Sequence, residues 1–573
     1  MRKLRKEKVL FVVCTMTFFM TCILVLKLWS FHFSSPFAYE GRDDFVFFSI
    51  AKSVMSGNSF WQNNNLGAPI GQELYRFPML MAFYTNFCRL VGFFGGSWVT
   101  AVNLYYLLTY ALAYASFIYL ERVFGIESNL LLVFGGLTYS FWSFHYLHCY
   151  GHMTAIAYFV VPVFISICYL ISQDRFRSRC SVVILIVLSA ACGIVDIYYS
   201  FFGCFLFSVG LLIALMKKQF RVCSKYMISI FSVVSCILIV LSPAVYNMTS
   251  SGSQKSLRSP GEAYYWALQI SSLFVPAENS GSVLRGLSFK IRQIAQIPQG
   301  ENLWNYVGII GILGFVIVIY WLFADNSISY KEKYVCRQLG ATLLLGTVGG
   351  LSIFVAIYLT SSVRCYNRIS TYVFAFLILA CSLFADRYLI SKKWGIILVM
   401  CLFLIHMIDM SPWNLVPDYG EKANKYYRDQ LYFHDIDKFL EDGDTVLQLP
   451  YIAGYENTKI VDGIGNCNYH FRAYLLSKKD INWSFGGLSG TASDECYRKY
   501  DTTNVNDILF FSLSDHYNGI YLDKALYDPK DWEIVFDGLC NALGDPRAVS
   551  SNGELCYFDL EGVDKASLNL EPV

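Results

Sequence analysis

VLFVVCTMTFFMTCILVLKLW, residues 9–29, follows the basic octet MRKLRKEK and decides the class of fold. At about 1.5 Å of rise per residue, a helix of this length crosses the ~30 Å hydrocarbon core of a bilayer. A secretory leader has a shorter apolar region and ends in small residues suited to cleavage, which this run lacks. It is therefore read as a first membrane span, with its basic flank in the cytoplasm. Working outward, ten further apolar runs predict spans at 98–120, 129–146, 153–172, 181–195, 198–216, 227–246, 304–324, 339–360, 369–386 and 394–411. The stretch 78–95 carries Arg89, Gly92 and Gly95 and is read as a re-entrant or interfacial segment.

Composition agrees with this pattern. Of the 573 residues 55% are hydrophobic and only 15% charged, with a mean hydropathy of +0.43. A soluble chain carries about 25% charged residues, so a wholly soluble protein is excluded. Disorder is excluded by 46 Phe, 41 Tyr and 11 Trp. A net charge of +2 excludes nucleic acid as a partner, since phosphate neutralisation needs a basic face. The sidedness of the charge is informative instead. Segments expected in the cytoplasm hold 19 Lys and Arg, whereas the short outer loops 147–152, 196–197 and 361–368 hold only Arg364 and Arg368. That bias orients the spans, and their odd number places the tail from residue 412 on the outer side.

Three outer regions are large: 30–97, 247–303 and 412–573. The last has soluble composition, with strand patterns at Thr445–Leu449, Gly519–Asp523 and Leu555–Leu560 and helix patterns at Phe433–Leu440 and Asn506–Leu513. The expected architecture is a polytopic α-helical membrane domain over 1–411 and an extracytoplasmic α/β domain over 412–573. No internal repeat is present, which argues against a transporter built from inverted repeats. Most of the 18 cysteines lie singly in apolar runs and none at zinc spacing. Cys467, Cys496, Cys540 and Cys556 lie in the outer tail, where disulfides form, and their pairing is open.

Residues able to carry chemistry gather at the outer face. Asp43 and Asp44 follow the first span, and adjacent carboxylates at a bilayer surface are costly unless solvated, paired or bound to a cation. They suit a general base or a cation ligand, and equally a solvated loop. The run Phe144–His152 contains His145, His148 and His152, with the last two on one face if the helix continues. Asp196 stands in an outer hairpin, and Arg258, Glu262 and Glu301 stand in the 247–303 loop. Arg258 and Glu262 are spaced for a helical i,i+4 pair. Arg364 and Arg368 break the positive-inside pattern, and guanidinium groups suit a phosphate. The glycine-, proline- and asparagine-rich run Asn63–Gly71 specifies turns whose amides also suit sugar hydroxyls.

With Asp43-Asp44 in the first outer loop, about eleven spans and a soluble outer tail, the chain resembles bacterial membrane glycosyltransferases of the GT-C superfamily. Segments NLGAP (65–69), RCYNRIS (364–370), LQLPY (447–451) and WSFGG (483–487) resemble those of a poorly characterised subgroup. The resemblance implies a bacterial inner-membrane enzyme that moves a sugar, with inversion, from a polyprenyl-phosphate carrier to an extracytoplasmic glycan or lipid-linked acceptor such as O-antigen. It implies Asp43 or Asp44 as base and Arg364 and Arg368 on the carrier phosphate. Some relatives also use a divalent cation. His148, His152, Asp196, Arg258 and Glu301 are candidate substrate contacts by location. The DxD triplets Asp435-Ile436-Asp437 and Asp442-Gly443-Asp444 are read as solvated surface rather than a nucleotide-sugar site. The alternatives are a flippase for lipid-linked glycan, a polysaccharide polymerase and a phosphoglycerol-type transferase. LQLPY and WSFGG are expected to pack the outer domain.

Overall fold

Every apolar run expected to span forms helix. In the computed structural model, which describes residues 2–250, 259–276, 282, 285–295, 300–324, 328–410, 416–452 and 467–563, the helices that build the bundle and its loops follow in chain order. They are α1 (Arg2–Val25), α2 (Asp43–Met55), α3 (Ala82–Phe93), α4 (Trp98–Val123), α5 (Asn129–Ser140), α6 (Ser143–His148), α7 (Val160–Ser172), α8 (Arg179–Gly193), α9 (Ile197–Met216) and α10 (Phe220–Ser250). After the long loop come α11 (Gly308–Phe323), α12 (Tyr330–Gly346), α13 (Ser352–Tyr358), α14 (Ser370–Tyr388) and α15 (Lys393–Asp409). Among the described residues six helical stretches are long and apolar enough to cross a membrane, and Val12–Val25, Arg179–Gly193 and Gly308–Phe323 are shorter apolar helices. The chain is a multi-pass membrane protein.

Local chemistry sets the boundaries. Ser97 caps α4 by accepting from the Thr100 amide at 3.2 Å, and Asp196 caps α9 through the amides of Tyr198 and Tyr199. The stretch 339–360 is not one helix. A capping box between Ser329 and Glu332 starts α12 nine residues early, and the chain turns at Thr347–Gly350 before α13 begins. There Leu268 bridges to the turn, donating to the Gly346 carbonyl and accepting from Val348, which pins the long loop to the bundle.

The C-terminal region begins with α16 (Tyr419–Ile436) and builds a five-stranded mixed sheet. With a short hairpin of β1 (Gln62–Asn63) and β2 (Gln72–Glu73) counted first, its strands are β3 (Thr445–Leu449), β4 (Asn482–Trp483), β5 (Gly519–Asp523), β6 (Ala548–Val549) and β7 (Leu555–Asp559). Their order is β4-β3-β5-β7-β6, parallel across β4, β3 and β5 and antiparallel beyond. The helix expected at 433–440 begins earlier and ends at Ile436, because Asp418 caps α16 at its start. The 506–513 pattern forms the helix Val505–Ser514.

The segments NLGAP, LQLPY and WSFGG meet here. Residues 65–68 lie along β4: Trp483 donates to the Asn65 carbonyl at 2.9 Å, and Ala68 and Gly67 donate to Trp483 and Phe485 at 3.0 Å. The first-loop run thus covers an open edge of the sheet. Gln448, fully buried, donates to His470 O at 2.8 Å and accepts from Phe485 N at 3.0 Å. One apolar cluster runs from Cys14 and Phe18 of α1 through Phe37–Val54 to Phe433, Trp483 and Tyr557, so the first loop and the C-terminal sheet share a core.

Two readings of the tail change. Asp437 is buried and accepts from Ser477 Oγ at 2.6 Å and Lys478 N at 2.8 Å, while Asp442 and Asp444 accept backbone amides of Asp480 and Glu441. These carboxylates tie turns together, while Asp435, paired with Lys438, and Asp442 are exposed as expected and Asp437 is the one of the four that is buried. Cys496, Cys540 and Cys556 are free thiols, and the side chain of Cys467 lies outside the described residues.

Candidate active site

Asp43 and Asp44 open helix α2, where the unpaired amides and the helix dipole favour negative charge. Their roles differ. Asp44 is fully buried, and its two carboxylate oxygens accept the amides of Glu40 at 2.8 Å and Arg42 at 2.7 Å. Burial pushes its pKa up to about 7, against the opposing pull of those two amides. It folds the loop. Asp43 has 41% of its side chain exposed and points away from that loop toward His152 and Asn468. Gly41 makes the turn at φ +73°, and a Cβ there would overlap the ring of Tyr469.

Helix α6 ends at His148, and the next turn folds His152 back over it, with ring centroids 5.9 Å apart. His148 Nδ1 donates to Phe144 O at 2.9 Å, which leaves Nε2 facing Glu301 Oε2 at 3.7 Å. His152 bridges two carboxylates, with Nδ1 3.9 Å from Asp43 and Nε2 3.4 Å from Glu301 Oε1. Glu301 is held by Arg368, whose Nε and Nη2 donate to its two oxygens at 3.0 and 2.7 Å. The Tyr198 ring lies 4.8 Å from this guanidinium, and Asn367 reaches Glu301 at 3.4 Å. The Asn367 backbone amide donates to the Trp266 carbonyl and the Asn302 side-chain amide to the Ala267 carbonyl, which fixes both segments to the same stretch of loop.

Asp43, His152, Glu301 and Arg368 therefore form one connected chain of charged and titratable groups, with His148 at its side. Burial raises the pKa of Glu301, and this is overcome by the Arg368 charge and by the bonds from Arg368, which hold it well below the usual carboxylate range. Burial, then the Arg368 charge, lowers the pKa of His152, so its imidazole is neutral at neutral pH. Asp196 sits behind Arg368 as the buried cap of α9. Burial raises its pKa, and the arginine partly offsets this.

Arg364 stands apart. Its Nη1 donates to Glu262 Oε2 at 2.8 Å with about a third of its side chain exposed. Glu262 thus pairs across the loop with Arg364, and Arg258 lies outside the described residues. Among the described residues no three His, Cys, Asp or Glu side chains converge as metal ligands. The reason is local: Arg368 occupies both oxygens of Glu301, the carboxylate that would otherwise join the two histidines. Tyr198, Asn367 and Asn468 were not singled out by sequence. Only Tyr198 carried a signal there, its place beside Asp196.

The fold is that of GT-C glycosyltransferases. The chain is similar over 95% of its length, and over 97% of the other chain, to ArnT from Cupriavidus metallidurans bound to undecaprenyl phosphate, with a TM-score of 0.53 and 12% identity. It is likewise similar to the arabinofuranosyltransferase AftD from Mycobacteria, with a TM-score of 0.53, 13% identity and 93% of this chain covered, although the match spans 38% of AftD. No protein-family model and no curated protein matches the sequence.

Proposed function

We propose that the protein is an inverting glycosyltransferase that moves one sugar from a polyprenyl-phosphate carrier to an extracytoplasmic glycan or lipid-linked acceptor of the bacterial envelope. The observation that carries this reading is the chain Asp43–His152–Glu301–Arg368, drawn from four distant segments to one end of the helical bundle. The bound undecaprenyl phosphate of the similarly folded ArnT supports the class of donor. The charge bias of the loops supports an outward-facing site and an inner-membrane location.

In this reading Asp43 is the base. Its carboxylate takes the proton of an acceptor hydroxyl, whose oxygen attacks the anomeric carbon of the carrier-linked sugar from the opposite face. The bond from that carbon to the phosphate oxygen breaks, and polyprenyl phosphate leaves with the electron pair. Arg364, a third exposed with donors to spare, faces the departing phosphate. Arg368, closed on Glu301, holds His152 against Asp43 and keeps positive potential behind the site.

The test compares envelope glycans of wild-type, deletion and Asp43→Asn cells by mass and linkage analysis. Loss of the same single sugar in both mutants, with the remaining glycan exported, is expected. Unchanged glycan in Asp43→Asn cells, with lipid-linked precursor retained inside the deletion strain, would overturn the transferase and favour a transporter.

A further inference from the structure

We infer that a polar cavity of about 500 Å³ between α16 and the turn at 467–472 receives the saccharide of the acceptor, an inference that rests on the transferase reading. Its volume falls within the roughly 300–1,000 Å³ of small-molecule sites. Glu421, Lys425, Arg428, Tyr469, Arg472 and Glu554 line it. Two of the cations are built in. Arg472, 3% exposed, is fixed by Asp429 at 3.2 Å and Asp523 at 2.5 Å, and Arg428 by Asp429 at 3.2 Å. Lys425 has no carboxylate partner among the described residues. Its ammonium lies 4.9 Å from the Tyr469 ring centroid and 5.9 Å from that of Tyr39.

This lining selects a class of ligand. The arginines are already neutralised by Asp429 and Asp523, so the cavity lacks the surplus positive charge a polyanion needs. Cationic donors and the carboxylate acceptors Glu421 and Glu554 instead share the lining, which is what hydroxyl groups require, since each both donates and accepts. The half-buried aromatic ring of Tyr469 adds an apolar wall. The position is equally specific. Tyr469 packs on Gly41, its neighbour Asn468 donates to Asp43 at 3.5 Å, and Lys422 pairs with Glu40 at 2.9 Å. The cavity wall is thus one residue from the contact to the base, so a sugar chain seated there leads a hydroxyl toward Asp43.

The experiment uses full-length protein in detergent micelles and saturation-transfer NMR with glucose, galactose, rhamnose, N-acetylglucosamine and glucose 6-phosphate as probes. Wild-type protein is expected to bind at least one neutral sugar, with affinity at least tenfold weaker in Lys425→Ala and in Glu554→Gln and unchanged in Asp43→Asn. Melting curves identify any variant that fails to fold, and Lys425→Arg is expected to keep binding. The inference is overturned if wild-type protein binds no neutral sugar, if glucose 6-phosphate binds more tightly than all of them, or if folded Lys425→Ala and Glu554→Gln both bind as wild type. These outcomes are independent of the glycan comparison above, which tests transfer and not the cavity.

Discussion

At the residue scale, two adjacent aspartates divide the work of one loop. Asp44 is committed to the amides of Glu40 and Arg42, whereas Asp43 is left to face His152. Asp44→Asn keeps one acceptor oxygen and strands one of the two amides, a cost of about 1–3 kcal/mol. It is expected to lower the melting temperature and to reduce transfer through the loop's shape, while Asp43→Asn leaves the melting temperature unchanged and abolishes transfer. A pH signature accompanies this. The unfolded carboxyl releases its proton near pH 4, while folded Asp44 holds its proton until about 7. Its contribution is therefore full below about pH 4, declines as pH rises to about 7 and is level above. Melting temperatures measured from pH 4 to 8 should show this decline in wild type and lack it in Asp44→Asn. Asp43, His148, His152, Glu301 and Arg368 were legible because charged and titratable side chains are rare in this chain and cluster at loop positions. Asn468 was not, since a neutral amide in an ordinary turn has no spacing that marks it.

At the element scale, α2 is the hinge between bundle and tail. Its apolar residues from Phe45 to Val54 are buried, and Lys52 near its end reaches across to the C-terminal region. The ammonium donates to the carbonyls of Tyr474 at 2.6 Å, Ser477 at 2.9 Å and Leu475 at 3.4 Å, satisfying the end of the helix Phe471–Leu476. Replacing the lysine removes all three bonds at once. Lys52→Met is expected to destabilise the protein by about 2 kcal/mol, read as a lower apparent melting temperature, and to loosen the Asn468 contact that lies on the same turn. The sequence pattern showed the helix and the apolar face. It did not show that a lysine on that helix closes another one more than 400 residues later, because pairing at such separation leaves no periodic trace.

At the scale of the whole molecule, the continuous apolar cluster matters most. Phe45, Phe48, Phe433, Trp483 and Tyr521 belong to one core, and the first loop supplies an edge to the C-terminal sheet through Leu66 and Trp483. A fragment of residues 416–573 loses that edge and most of that core. It is expected to lack cooperative thermal unfolding by circular dichroism, and addition of a peptide covering 60–75 should restore little, because α2 remains missing. A sharp cooperative transition in the fragment alone would show that the tail folds by itself.

The sequence by itself determined the helical membrane bundle, the apolar runs that form its helices and the core strands of the tail. Each is written in short-range signals: apolar length, alternation and the side on which lysine and arginine fall. The tertiary structure alone decided which carboxylate is free and which is spent on its own loop. It likewise decided that Glu301 belongs to Arg368 and that NLGAP meets WSFGG. It also broke the expected 339–360 span at a turn to which Leu268 bridges. These outcomes depend on contacts between residues hundreds of positions apart, where burial and hydrogen-bond competition, and not local preference, select the partner.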